Sequence, residues 1–291
     1  MRKARQLAIL GMVVSGLLAV IKIAAGWRAG SASVLADGFE SAADVFASGL
    51  VLVGLIVAAR PADHDHPYGH GRVETLTGLV LGFFLFAAGA LIAWHGITGA
   101  GDAAVPAAWA IVPLVISIFA KTWLVIVKYR HGKSMGSSSL IADAANDAVD
   151  ILSGAVALIA LSLTLWKPEA FLKADHYGAF LVGIIVIATA VRIILDASMH
   201  LMDTMPSDEM MDRIRTAARR VSDVKGVEKC FARKTGLKYH VDLHLEVDPD
   251  ISVRESHDIA QKVRARIKDE LPWVADVLVH VEPWPGVNAV S

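Results

Sequence analysis

The chain has 291 residues, 55% of them hydrophobic, and a mean hydropathy of +0.51. That is too apolar for an ordinary soluble domain and fits a protein that crosses a membrane several times. A formal net charge of −1 offers no basic surplus for a nucleic-acid partner, and the single cysteine, Cys230, excludes an intrachain disulfide and a CxxC zinc site.

Arg2, Lys3 and Arg5 followed by a long apolar run imitate a signal peptide. The run from about 8 to 25 is of membrane-spanning length and further spans follow it, so it reads as a first transmembrane helix. Apolar windows predict helices near 7–27, 34–59, 74–97, 107–127, 140–166 and 177–200. Arg2, Lys3 and Arg5, then Arg60 and Arg72, then Lys128, Arg130 and Lys133 fall on one side of these spans. The opposite loops hold Arg28, then no basic residue, then Lys167 and Lys173. This bias places both termini in the cytoplasm, and a plasma (inner) membrane location is expected.

After about Met202 the character changes. Pro206, a Ser207 cap and acids at Asp208 and Glu209 announce a helix running to about Val221. Val227–Lys234 reads as a strand, and Lys238–Val247 alternates Tyr239, Val241, Leu243, Leu245 and Val247 against His240, Asp242, His244 and Glu246. An amphipathic helix from Ser252 to Leu271 and a strand over Val277–Glu282 follow. The expected domains are a six-helix transmembrane domain over 1–203, an α+β domain of order αββαβ over 204–285, and a short tail over 286–291. Helices on one face of a three-stranded sheet leave the other face bare, a candidate dimer surface. Cys230 is expected to be a buried small hydrophobe.

Two segments echo each other. In Leu35–Asp44 and in Ile141–Asp150, Ala-Asp is followed seven residues later by Asp, with another oxygen-bearing residue four before it. A carboxylate at bilayer depth costs roughly 2.5–3.5 kcal/mol on insertion scales, and it persists where it is paired, wetted or bound to a cation. Residues four apart share a helix face, so Glu40 and Asp44 on one helix and Asn146 and Asp150 on another converge as four hard oxygen donors. Neither segment contains a Lys or Arg to pair with them. That points to a divalent-cation site, with chemistry suited to Mn²⁺, Mg²⁺ or Fe²⁺ more than to Zn²⁺ or Cu⁺. Asp37 and Asp143 read as entrance or cap residues, and Asp147 has no assigned role.

Two further clusters stand outside the spans. Residues 63–70, Asp-His-Asp-His-Pro-Tyr-Gly-His, hold three histidines and two aspartates in a short cytoplasmic loop, a set that suits Zn²⁺ and similar ions. In the tail, His240 and His244 share a polar strand face, His257 falls on the second tail helix, and pairing of neighbouring strands brings His244 towards His280 and Glu282. No H-E-x-x-H helix and no nucleophile–base arrangement is present in the sequence, so an enzyme is not expected.

With these residues in view, the chain resembles the cation diffusion facilitators over nearly its whole length. The resemblance implies six transmembrane helices, a metallochaperone-like αββαβ cytoplasmic domain, a homodimer, and export of divalent metal from the cytoplasm in exchange for protons. It places the transport site on Glu40, Asp44, Asn146 and Asp150. Residues 67–72, Pro-Tyr-Gly-His-Gly-Arg, resemble the family's turn into the third helix. That match implies a loop metal site of Asp63, His66 and His70, and a lock of Arg72 with Asp203 at the dimer interface. Residues 236–244 and 279–283 resemble the family's tail domain, implying metal positions at His244, His257, His280 and Glu282, with Glu228 near one further position. Asn146 stands where zinc exporters carry His, which leaves Zn, Fe, Mn, Co and Cd open as transported and regulatory metals. It also leaves open a transport-inactive metal sensor or assembly partner within a heterodimer. No histidine stands in the set of four and Asn146 does not titrate, so Glu40 is the candidate proton carrier.

Overall fold

The computed structural model describes residues 2–135 and 138–286; the tail expected at 286–291 lies, beyond Gly286, outside the described residues. Among the described residues, six helices are long and apolar enough to cross a membrane: α1 (Arg2–Ala29), α2 (Ala32–Ala58), α3 (Arg72–Gly99), α4 (Ile111–Met135), α5 (Ser138–Trp166) and α6 (Ala174–Leu201). In hydrocarbon each backbone N–H and C=O must be satisfied within its own segment, which a continuous helix achieves. The fourth helix runs to Met135 rather than 127, so Lys128, expected in a loop, is a helical residue only 2% exposed.

The chain divides into two compact units, residues 1–52 with 79–194, and residues 53–78 with 195–291. In the first, Val34, Leu114, Leu161 and Val182 form one fully buried cluster, and Ala43, Leu81, Leu85 and Ala190 form another. Gly38 lets α1 and α2 approach closely: a Cβ there would lie 2.8 Å from the Ile23 backbone nitrogen. A polar clamp closes one end of this unit. Asp175, 1% exposed at the start of α6, accepts from the Ser31 hydroxyl at 2.8 Å and from the Ala32 N–H at 2.6 Å. Its own N–H donates to Thr164 Oγ1 at 3.0 Å. The orphan donors at the start of α2 thereby find a buried carboxylate.

In the second unit, α7 (Asp208–Arg219), β1 (Gly226–Thr235), β2 (Lys238–Val247), α8 (Val253–Glu270) and β3 (Val274–Pro283) follow the expected αββαβ order. The sheet order is β1-β2-β3, with β1 antiparallel and β3 parallel to β2. Gly236, at φ +65°, makes the tight turn between β1 and β2, where an L side chain would be strained. Ser252 and Glu255 form a reciprocal capping box at the start of α8. Ser207 holds the corresponding place before α7 without a side-chain bond to the helix.

Ile214 of α7, Leu243 and Leu245 of β2, and Val263 and Ile267 of α8 are at most 1% exposed. Both helices therefore cover the face that carries Val241, Leu243, Leu245 and Val247. Each such burial contributes about 1.5–3 kcal/mol. Cys230 belongs to this core, and burial pushes its thiol up to about 11. A raised thiol pKa leaves the reactive thiolate scarce at pH 8. Since it is the chain's one cysteine, a colorimetric disulfide reagent should register almost no reaction at pH 8 in the folded protein and one thiol per chain after unfolding; rapid labelling of the native chain would contradict the buried position.

Candidate metal centres

The acids of α2 and α5 meet. Glu40, Asp44, Asn146 and Asp150 line one small cavity of about 20 Å³, together with Val186 and Thr189. That is room for a single water-sized species. Glu40 Oε1 accepts from Ser153 Oγ at 2.7 Å, while Glu40 Oε2 is buried with no hydrogen-bond partner. An orphaned carboxylate oxygen beside an ion-sized space fits an oxygen-liganded cation. Asp44 and Asn146 also line a larger cavity of about 540 Å³, with Ser48, Asp143 and Asp147 on its wall.

Basic partners are present, contrary to the expectation drawn from the two segments alone. They arrive from α1 and α4. Lys22 Nζ lies 2.7 Å from Asp37 Oδ2 and donates to Ser41 Oγ at 2.7 Å. Lys121 Nζ bonds Ser15 Oγ at 2.8 Å, Asp147 Oδ1 at 2.8 Å, and Asp150 Oδ2. Lys128 Nζ bridges Asp147 Oδ2 at 2.5 Å and Asp143 Oδ2 at 2.8 Å. All three lysines are at most 2% exposed. Asp37 is consequently a buried partner of Lys22 rather than an entrance or cap residue. Asp143 is held by Lys128 with its side chain 41% exposed. The signal for the lysines was in the sequence. Lys22 and Lys121 each stand alone in an apolar membrane-length window, and a buried ammonium requires an acid.

Among the described residues, two sets of three His or carboxylate side chains bring ligand atoms within 4.8 Å of one another. One is Asp63, His66 and His70. Asp63 Oδ1 accepts from the His66 N–H at 2.7 Å and lies 3.0 Å from His66 Nδ1, and His70 Nε2 lies 3.4 Å from Asp63 Oδ2. The His66 backbone N–H holds the Asp63 carboxyl below its usual range. This loop packs against the β1–β2 turn: a Cβ on Gly71 would lie 2.7 Å from the Thr235 carbonyl oxygen, and Tyr68 stands edge-on to His240. Arg72 donates to Asp203 Oδ1 at 2.8 Å within the one chain. Asp203 is in the left-handed region, at φ +56°, just past the end of α6.

The other set is His244, His280 and Glu282, on the bare face of the sheet. His244 is the register partner of His280, with ring centroids 5.1 Å apart, and His244 Nδ1 lies 2.6 Å from Glu282 Oε1. Glu228 of β1 lies 4.0 Å from His244. A hydrogen bond with Glu228, and then one with His244, hold the Glu282 carboxyl below its usual range. His257, expected with this set, is not brought to it. It is exposed on α8, which covers the opposite face of the sheet, and its ring lies 3.4 Å from the Gln261 amide.

Residues 8–202 match the family described as the cation efflux transmembrane domain, and residues 206–284 match the cation efflux protein cytoplasmic domain. An uncharacterized transporter of Bacillus subtilis, YdbO, is 34% identical over 97% of this chain and 97% of its own length. The manganese efflux system protein MneP of the same organism is 28% identical, covering 97% of this chain and 96% of its own. Metal tolerance protein C1 of Arabidopsis thaliana is 30% identical over 94% of this chain, which spans 61% of that relative.

Cation binding by the loop cluster requires unprotonated imidazoles. Asp63, with its pKa lowered, gains its bond above the ordinary carboxylate range and loses it only in more acidic solution, so it stays ionised throughout the imidazole range. Loop-dependent Zn²⁺ binding, taken as the calorimetric difference between the native chain and Asp63→Ala, should weaken on acidification from pH 7 to 5, because protons compete with the metal for imidazole nitrogens. A flat profile between pH 7 and 5 would exclude the two histidines as ligands.

Proposed function

The chain belongs to the cation efflux, or cation diffusion facilitator, family of metal-ion transporters, and on that premise we propose that it exports a divalent transition-metal cation from the cytoplasm in exchange for protons. The observation that carries this reading is the convergence of Glu40, Asp44, Asn146 and Asp150 from two membrane-length helices on one ion-sized cavity. The ion is the substrate, held by Asp44 and Asp150 with Glu40 and Asn146 completing the shell. The larger cavity, into which Asp44 and Asn146 also face, is its route of approach. An all-oxygen shell favours Mn²⁺ or Fe²⁺ over Zn²⁺, and a relative named as a manganese efflux protein supports the same preference.

Transport requires the cavity to open alternately to the two sides, with the ion bound on one side and displaced by protons on the other. Glu40 is the proposed proton carrier: Asn146 cannot titrate, and no histidine lines the cavity. The basic residues that flank the spans, Arg60 and Arg130 among them, favour cytoplasmic termini in an inner membrane.

The loop and tail clusters are proposed as regulatory sites. The bare sheet face exposes Phe231 (50%) and Leu278 (69%) on either side of Asp242 in the ladder. Two such faces, meeting in a homodimer, would bury these side chains and bring the His244, His280 and Glu282 sets together. Metal bound there would favour one transporter state.

In proteoliposomes of purified protein, Mn²⁺ and Fe²⁺ should drive proton movement more strongly than Zn²⁺, Co²⁺ or Cd²⁺. Asp44→Ala and Asp150→Ala should each abolish it while the protein still elutes as the native species. His280→Ala should keep maximal flux and shift only its dependence on metal concentration. Native flux in both aspartate variants would reject the site. Absence of flux with all five ions in the native dimer would return the sensor or assembly-partner reading.

A further inference from the structure

Asp150 is already engaged by a cation that belongs to the protein. An ammonium has three N–H donors, and those of Lys121 end on Ser15, Asp147 and Asp150. The three acceptors are not equivalent. Asp147 receives a second ammonium, Lys128, on its other oxygen. Ser15 is neutral. Asp150 has Lys121 as its only ion-pair partner among the described residues. If Lys121 lets go of Asp150, it keeps two of its three bonds, and Asp147 keeps both of its ammonium partners. The construction is a cation tethered at two points with one releasable contact, and that contact is to a carboxylate of the ion-sized cavity.

We propose that Lys121 is the internal competitor of the transported cation. In the empty site its ammonium takes the Asp150 carboxylate. The arriving divalent ion displaces it from that oxygen, Lys121 stays anchored on Asp147 and Ser15, and it returns to Asp150 as the ion leaves. The inference rests on the reading of Asp150 as a ligand. Lys121 keeps its proton and its charge throughout, and no bond other than hydrogen bonds and metal–oxygen contacts forms or breaks. It is a positioning residue, acting through Asp150.

The arrangement serves two ends. A carboxylate emptied of its ion in apolar surroundings is left with an uncompensated charge, and Lys121 supplies the compensation at once. A site of three carboxylates with no competitor would also hold its ion more tightly and release it more slowly. Lys121 lowers the affinity of the loaded site by the worth of the contact that the ion must break. The same pairing selects against monovalent ions, because a single positive charge gains little by replacing an ammonium already in place.

The test uses the purified full chain in detergent and in vesicles, with Mn²⁺ and Cd²⁺ as probes. Free Mn²⁺ is counted by electron paramagnetic resonance and Cd²⁺ by competition. Binding at the cavity is defined as the component lost in Asp150→Asn. Lys121→Gln should lower the Kd of that component roughly tenfold or more, the worth of one charge-assisted hydrogen bond, lower the KM for flux in parallel, and reduce maximal flux. Lys121→Gln with Asp147→Asn preserves the net charge of the network. It carries the test if the single variant fails to fold, and should show the same tightening. Unchanged or weaker affinity in this double variant, with the Asp150-dependent component present, overturns the competitor role and leaves the ligand reading standing. Binding in Asp150→Asn as tight as in the native chain overturns both.

Discussion

Lys22, Lys121 and Lys128 carry charge into helices whose surroundings are apolar, and each ends on aspartate. Removing an ammonium or a carboxylate from water costs several kcal/mol even after the protein relaxes, and a well-packed apolar substitute is often as stable or more so. Such a network is therefore weak evidence of a need for stability. What it does is fix where negative charge is satisfied and where it is not. Asp37, Asp143 and Asp147 are neutralised by ammonium groups. Glu40 and Asp44, three to seven residues along the same helix from Asp37, have no ammonium partner among the described residues, and Asp150 stands between the two groups with one.

That gradient separates the chemistry of the membrane unit from that of the second unit. Inside the spans the donors are oxygens of Asp, Glu and Asn, set in a cavity small enough for one ion. Outside them the donors are mixed imidazole and carboxylate, in sets open to solvent at the loop and on the bare sheet face. Hard donors in a closed space suit an ion in passage. Imidazole and carboxylate sets open to solvent fit the regulatory role proposed for them.

Much of this was legible in the residues. The six spans and the αββαβ order follow from windows of apolar residues and alternation along β2, whereas the cap read at Ser207 makes no side-chain bond to its helix. The pairing of His244 with His280 follows from β3 lying beside β2. The ammonium partners were missed because the two acidic segments were searched for bases only within themselves, whereas Lys22 and Lys121 come from helices 15 and 26 residues away from the nearest acid they hold. Lys128 was misplaced for a different reason. Near a predicted helix end a lysine reads equally as a loop charge or as a buried one, and only the longer course of α4 decides. His257 was grouped with the tail cluster by its residue type and the family pattern. Its separation is a matter of layers: the alternation that turns His244 to the bare face turns α8 to the other.

The clamp at Asp175 gives one end of the membrane unit a fixed point. It joins the start of α2, the end of α5 through Thr164, and the start of α6, by bonds from backbone N–H groups to the Asp175 carboxylate and the Thr164 hydroxyl. The acids of α2 lie one to three turns beyond it, and Ser48 and Val51, on the wall of the larger cavity, lie further along the same helix. A rigid helix pinned at one end behaves as a lever, with displacement growing in proportion to distance from the pivot. A tilt of α2 about this end that moves Asp44 relative to α5 therefore moves Ser48 and Val51, at the cavity wall, about a third to a half as far again.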